Sequence, residues 1–379
     1  MTLRVLMVSK ACVVGAYQTK LEALARMPGM ELTVVVPPAW RGPEGTSVLE
    51  RAHTAGYELI VSPMRFNGSF HLHYYPHLPY WLRRLQPDIL HFDEEPYNLA
   101  TYLGLRAGRR VGARGLFFTW QNLYRVYPWP FRAWEQACFH LAAGALAGSA
   151  DACRVLRRKG YRGPARVIPQ FGVSVERFAP PAVEPPAAGP LRVGYAGRLV
   201  PEKGVDLLLR ALAGLQAPWR AVIAGRGPEE GRLRAMAQEL GLGDRVELRG
   251  NLPSREMPAF FAGLDVLVLP SLSRRNWVEQ FGRVLIEAMA SEVVVVGSTC
   301  GEIPNVIGEA GLVFAEGDVN ALSSALLRLA GDADLRRRLA RAGRQRVLER
   351  FTQEHIAAQT YDVYRALLDG SFAGDCSVV

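Results

Sequence analysis

The sequence predicts an α/β protein built from two doubly wound parallel-sheet domains. Three observations carry this expectation. Apolar, β-branched runs of the kind that form strands buried on both faces alternate with segments of helical apolar spacing. The two halves open alike, with LRVLMV at 3–8 and LRVGYA at 191–196. Between the halves, residues 178–190 (FAPPAVEPPAAGP) hold five prolines and no periodicity, as a semi-rigid linker would.

The elements follow in order. The first half gives a strand at 3–8, a helix at 16–27 and a buried strand at 32–36 (LTVVV), with further strands at 89–92, 115–119, 144–147 and 166–168. The second half gives a strand at 191–196, a helix at 205–215 and strands at 219–224, 246–248, 266–269, 293–296 and 311–314. Residues 319–350 read as helical and dense in Arg. Residues 353–368 read as an amphipathic helix with Ile356, Tyr361, Tyr364 and Leu368 at core-like spacing. The domains are thus placed at 1–177 and 191–352. Helix 353–368 is expected to pack back on the first domain, leaving 369–379 as a tail. Open α/β sheets bind ligands beyond the carboxyl ends of their strands, so the cleft between two such domains is the expected site.

Composition narrows the class. The 379 residues are 49% hydrophobic and 21% charged, which excludes a disordered, coiled-coil or collagen-like chain. No apolar run reaches the ~18 residues of a bilayer span, and MTLRVLMVSK lacks the features of a secretory leader. A cytoplasmic protein is expected. The net charge of +9 is lopsided: residues 1–175 carry 21 Lys and Arg against 11 Asp and Glu, and the remainder 24 against 25. The basic half suits nucleic acid, anionic lipid or a phosphorylated substrate, and an Arg-rich proteome would produce the same excess. No nucleic-acid motif is present, so nucleic acid is not expected as a partner. The stretch Arg157, Arg158, Lys159 is the candidate contact for an anionic membrane surface. The five cysteines show no CxxC or Cys/His spacing and are expected as reduced thiols. The final Cys376-Ser377-Val378-Val379 fits a C-a-a-X pattern loosely, but no polybasic segment lies upstream, and a frayed tail is expected.

Two segments carry chemistry. In NWVEQFGRVLIEAMA (276–290), Phe281-Gly282 opens a helix whose free N–H groups suit an anion, with Val284, Leu285, Ala288 and Met289 toward the sheet. Glu279 and Glu287 stand eight residues apart, about 12 Å on a helix, and could hold two ends of an elongated polyhydroxyl ligand. Acidic residues favoured by a helix start would give the same pattern. In GRLVPEKG (197–204), Arg198 and Lys203 sit five apart between glycines in the first β→α turn of the second domain. The segment is neither GxGxxG nor a P-loop. It could clamp a diphosphate without metal, or be a solvated turn.

These residues resemble the retaining glycosyltransferases of family four, which have the GT-B fold of two Rossmann-like domains facing each other across a cleft. The matching pieces are GRLVPEKG (197–204), IAGRGPEEGRL (223–233), VELRGNLP (246–253), EQFGRVLIEAMA (279–290) and GEIPNVIGEAGLVF (301–314). The family's E-x7-E motif falls on Glu279 and Glu287. The resemblance implies a nucleoside-diphosphate sugar as donor, with no separate cofactor and no metal. It implies that Arg198, Lys203 and the amides of Phe281 and Gly282 hold the diphosphate. Glu287 would bind the ribose, Glu279 would face the transferred sugar, and Gly250, Asn251 and Leu252 would lie near the base. In the first half, Gly15 matches the small residue that lets donor phosphates approach. His91 and Asp93 follow the pattern of residues on the acceptor or sugar side, and Gln121 stands where many relatives have histidine. The acceptor is expected to be a sugar or a lipid-linked, anionic molecule in glycan or glycolipid synthesis. Another nucleotide-sugar enzyme (epimerase or phosphorylase) and a non-enzymatic anion- or membrane-binding protein are the alternatives. His71, His73 and His77 lie in the aromatic stretch 62–82, but no third ligand is in view and no metal site is expected. That stretch suits an acceptor or membrane surface, or partial burial against the sheet.

Overall fold

The computed structural model describes residues 2–42, 45–181, 189–374 and 376. The chain divides into two compact units, Met1–Gly172 with Gln353–Val379, and Val173–Thr352.

The first unit carries β1 (Leu3–Val8), β2 (Met30–Val36), a separate antiparallel hairpin of β3 (Ala39–Gly42) and β4 (Gly45–Val48), β5 (Glu58–Val61), β6 (Ile89–Phe92), β7 (Arg114–Thr119), β8 (Gly144–Ala147) and β9 (Ala165–Val167). Seven of these form a parallel sheet in the order β5-β2-β1-β6-β7-β8-β9. Helices α1 (Thr19–Ala25), α2 (Leu78–Leu85), α3 (Leu99–Arg110), α4 (Phe131–Leu141) and α5 (Ala150–Arg158) cover it. Two apolar clusters line its two faces, so the inner strands are buried except near their starts, where Arg4, Glu31 and Arg114 are exposed; all four residues of β6 are inaccessible.

The second unit has six parallel strands: β10 (Leu191–Ala196), β11 (Trp219–Ala224), β12 (Val246–Gly250), β13 (Val266–Leu269), β14 (Val294–Ser298) and β15 (Leu312–Phe314). Their order is β12-β11-β10-β13-β14-β15. Helices α6 (Val205–Ala213), α7 (Glu230–Glu239), α8 (Met257–Ala262), α9 (Arg283–Ala290), α10 (Ile303–Ile307), α11 (Val319–Gly331) and α12 (Ala333–Arg350) complete it. The final helix, α13 (Gln353–Asp369), belongs to the first unit. There Arg26 meets Glu354, Tyr361 donates to the Pro28 carbonyl, and the Tyr364 hydroxyl lies 2.7 Å from His91 Nδ1.

Several expectations are corrected. The helical stretch 319–350 holds two helices, because Asp332 leaves helical geometry and its carboxylate caps the Leu335 N–H at 2.8 Å. The helix at 16–27 opens instead with a 3-10 turn, Gly15–Tyr17. The β3–β4 hairpin has too few apolar residues to stand out in sequence, and β5 is only four residues long with both ends exposed. Arg177 and Phe178 belong to the second unit: Arg177 donates to Ser254 Oγ at 2.8 Å, and Phe178 packs on Phe261. Much of the expected linker, 182–188, lies outside the described residues.

The cysteines differ most. Cys153 on α5 and Cys376 form a disulfide, while Cys12, Cys138 and Cys300 are free and buried. Cys376 is therefore engaged rather than presented for prenylation. Residues 372–374 are packed, with Phe372 buried and the Gly374 carbonyl accepting the Ala165 N–H in β9 at 3.1 Å, while 375 and 377–379 of the expected tail lie outside the described residues.

Candidate active site

In the second unit the strand order reverses at β10, between β11 and β13. The turns leaving β10 and β13 therefore flank the reversal, the place where open sheets bind ligands. The first turn runs through exposed Gly197 and Arg198 to a 3-10 turn, Pro201–Lys203, that ends at Gly204. Gly204 has φ 62°, and a Cβ there would stand 2.1 Å from the Pro270 carbonyl oxygen. Only glycine lets this turn lie on the end of β13. The close approach brings Lys203 Nζ to 2.6 Å from Glu279 Oε2, which also accepts from Ser271 Oγ at 2.9 Å. The Trp277 ring faces the ammonium, 4.9 Å from its centroid. Glu279 is only 7% exposed, and its backbone carbonyl accepts the Glu302 N–H.

Helix α9 starts just beyond. Its N-cap is Gly282, left-handed at φ 76°, which has no side chain with which to cap the helix. Glu279 thus precedes the helix, and the helical spacing to Glu287 does not apply. Toward the core α9 turns Leu285, Ile286, Ala288, Met289 and Ala290; Val284, expected there, is half-buried and Ile286 takes its place. Phe281 is buried with its ring against Phe351. Glu287 lies 3.0 Å from Arg283 Nε; burial pushes its carboxyl up, and Arg283 and Arg177 oppose that. Gly250 ends β12, its carbonyl accepting the Gly225 N–H, with Asn251 exposed and Leu252 half-buried beyond it. The Arg198 carbonyl is fixed by the Tyr195 hydroxyl at 2.8 Å.

In the first unit the reversal falls at β1, between β2 and β6. Gly15 follows β1, its N–H donating to Glu50 Oε2 at 2.7 Å. His91 faces inward onto Tyr364, and burial pushes it well below the usual imidazole range. It offers no surface to a ligand. Asp93 is also buried; Ser9 Oγ donates to its Oδ2 at 2.7 Å, and burial raises the carboxyl.

Sequence reasoning missed the next two residues. Glu94 is held by Lys10 Nζ at 2.8 Å, His73 Nε2 at 2.5 Å and the Tyr75 hydroxyl at 3.1 Å. Burial alone would raise Glu94, but His73 and Lys10 outweigh it and hold the carboxyl below its usual range. Glu95 accepts from Thr119 Oγ1 at 2.6 Å and from the Trp120 N–H at 2.8 Å; burial nonetheless pushes it up to about 7. The acidic run at 93–95, ending a buried strand, was the available signal. Gln121 Oε1 accepts from Lys159 Nζ at 2.7 Å, and Lys159 also meets Glu135 at 2.5 Å. Arg157 turns inward as well, donating to the Tyr161, Gly163 and Gly374 carbonyls. The stretch 157–159 is thus not a free basic patch. Among the described residues no group of three His, Cys, Asp or Glu is arranged to hold a metal, and no helix is long and apolar enough to cross a membrane.

Two Rossmann-like domains, with acidic, basic and glycine-bearing turns at their carboxyl edges, define the GT-B class. Solved structures agree on the fold. Sucrose-phosphate synthase from Thermosynechococcus elongatus matches with a TM-score of 0.72 at 22% identity, over 97% of this chain and all of that one. Anabaena HepE, solved in complex with UDP, matches with a TM-score of 0.71 at 18% identity, over 96% of this chain and all of that one. Residues 19–177 match the family model described as Glycosyltransferase Family 4, and residues 180–346 match Glycosyl transferases group 1. The chain belongs to glycosyltransferase family 4. A GDP-mannose-dependent alpha-(1-6)-phosphatidylinositol monomannoside mannosyltransferase of Mycolicibacterium smegmatis is 34% identical over 206 residues, 49% of this chain and 53% of that protein. The chain spans about half the length of the curated relatives it matches.

Proposed function

We propose that this protein transfers a sugar from a nucleoside-diphosphate sugar to an acceptor hydroxyl with retention at the anomeric carbon. The observation that carries this is the Lys203–Glu279–Ser271 cluster beside the glycine-opened start of α9. In the transition state negative charge gathers on the departing diphosphate. Arg198, Lys203 and the N–H groups of α9 stabilise that charge where it develops. Glu279 orients the transferred sugar, Glu287 accepts from the ribose hydroxyls, and Gly250, Asn251 and Leu252 border the base. These groups neutralise the leaving group without a resident metal, so transfer should survive EDTA. The relative named for GDP-mannose makes GDP-mannose the first donor to test.

The acceptor we propose is lipid-linked and anionic, reached at the cytoplasmic face of a membrane. Helices α2 and α3 carry Arg83, Arg84, Arg106, Arg109 and Arg110 and no acidic residue. A cavity of about 280 Å³ between them is lined by Tyr74, Leu78, Leu103, Arg106 and Arg110. This pairs apolar surface with cationic rims, the chemistry of an anionic amphiphile.

A thermal-shift screen of UDP-, GDP- and ADP-sugars tests the donor, since hundredfold excess over Kd stabilises by about 2.7 kcal/mol. A transfer assay with the stabilising donor follows. If none of the donors shifts the melt and none is consumed, the reading is wrong.

A further inference from the structure

The family resemblance puts Gln121 on the acceptor or sugar side; the two residues that hold it at the carboxyl edge of the first sheet, Lys159 and Glu135, have no role in that resemblance or in the transfer scheme. Gln121 follows β7, and its backbone is fixed: its N–H donates to Thr119 Oγ1, which is itself tied to Glu95. The side chain is fixed as well, by an unusual pair of ions. Lys159 and Glu135 are 5% and 4% exposed at their side chains, 2.5 Å apart, with the Tyr127 ring 4.6 Å from the ammonium. Burial lowers the Lys159 ammonium and raises the Glu135 carboxyl. A buried pair of this kind contributes little net stability compared with apolar residues of the same size.

Its geometry does something else. An ammonium can only donate, so the atom of Gln121 facing Lys159 at 2.7 Å is the carbonyl oxygen. That fixes which way the amide is turned. The NH2 group points away from Lys159, and it is buried with no acceptor among the described residues. A buried donor without an acceptor costs about 1–3 kcal/mol. It recovers that cost when a ligand brings an oxygen to it.

We infer that Lys159 and Glu135 are positioning residues that aim the Gln121 amide NH2 at a hydroxyl oxygen of the sugar substrate. The chemistry selects the partner. Lys159 is neutralised by Glu135, so the cluster presents a neutral donor and no spare positive charge. A phosphate oxygen would be drawn to an unpaired cation; a sugar hydroxyl suits an amide. A site built to bond a hydroxyl rejects the analogue lacking it far more strongly than an apolar pocket does. The inference rests on the transferase reading for its substrate, and on the amide geometry alone for its positioning half.

The test has two arms. In the first, kcat/KM is measured for the parent, Gln121→Met, the pair replacement Lys159→Met with Glu135→Leu, and the triple variant. The pair replacement removes both charges together and leaves no buried ion alone. Each variant should lose about 10–100-fold, as expected for one hydrogen bond to substrate. The triple variant should lose no more than Gln121→Met alone. Monodeoxy sugars should reveal one hydroxyl whose removal harms the parent but not the variants. Losses that multiply in the triple variant, or a pair replacement with parental turnover, would overturn the proposal. The second arm needs no turnover. The Gln121 side-chain NH2 signals in ¹⁵N spectra should exchange with solvent at least about tenfold faster in the pair replacement, whose fold is checked by its melt. Unchanged protection would show that Lys159 and Glu135 do not hold the amide. A parent that transfers no sugar would instead refute the transferase reading and the hydroxyl partner with it, leaving the positioning claim to this second arm.

Discussion

Lys203 and Glu279, 76 residues apart in sequence, meet with Nζ 2.6 Å from Oε2, their side chains 15% and 10% exposed. The contact joins the turn after β10 to the segment before α9, so the cation proposed for the leaving group and the carboxylate proposed for the sugar hold each other. Glu279→Gln keeps the shape and removes the charge that anchors Lys203. Turnover should fall about 100-fold, the cost of misplacing a reacting group by about an ångström. Donor affinity, measured by calorimetry, should change less than tenfold. A variant with parental kcat would remove Glu279 from the mechanism.

Glu287 calls for the opposite pattern. It sits within α9, half-buried, with Arg283 at 3.0 Å. As a ribose contact it acts on the bound donor before and during transfer alike. Glu287→Gln should therefore weaken donor binding about 10–100-fold, as for a hydrogen bond to a charged group, and leave kcat within a few-fold. Loss of kcat without loss of affinity would assign it elsewhere.

How far the sequence went is clearest at these residues. The inner strands were legible because a strand buried on both faces must be apolar throughout, as in VLVL of β13. Edge strand β5, with Glu58 and Val61 exposed, lacks that signature. Glycines and charges marked the turns after β10 and before α9, yet no spacing rule shows that Lys203 reaches Glu279. That depends on Gly204 lying against Pro270. In the first unit HFDEEP announced polar residues after β6, but which were inward (His91) and which bonded to Lys10 or Thr119 depends on pleat and neighbours. Lys159 looked like part of a basic face. Its burial is set by Glu135, 24 positions away.

The Cys153–Cys376 bond links positions 223 residues apart and holds the segment whose Gly374 carbonyl accepts the Ala165 N–H at β9. Cys376→Ser, or treatment with a strong thiol reductant, should destabilise the first unit by about 2–4 kcal/mol. Hydrogen exchange should locate the loss. The Ala165 amide and its neighbours in β9 should exchange faster, and the amides of β10–β15 should not change. Equal melts for oxidised and reduced protein would show that the bond contributes nothing to the fold.

Glu95 gives stability a pH dependence of definite sign. Burial raises its carboxyl from 4.5 to about 7, although Thr119 and Trp120 donate to it. Between those values the native protein holds a proton that the unfolded chain has released. Stability therefore falls as pH rises through this window, by up to about 3 kcal/mol at 1.36 kcal/mol per unit. Asp93, Glu135 and Glu287 are also raised by burial and add slopes of the same sign, so the parent alone does not isolate Glu95. Glu95→Gln does. Its amide oxygen can still accept from Trp120, and the Thr119 hydroxyl can turn to accept from its NH2. The variant should gain on the parent in urea denaturation as pH goes from 5 to 8, and the gain should level off above pH 8. A parent-to-variant difference that is flat across this range would show that Glu95 ionises as an ordinary carboxylate.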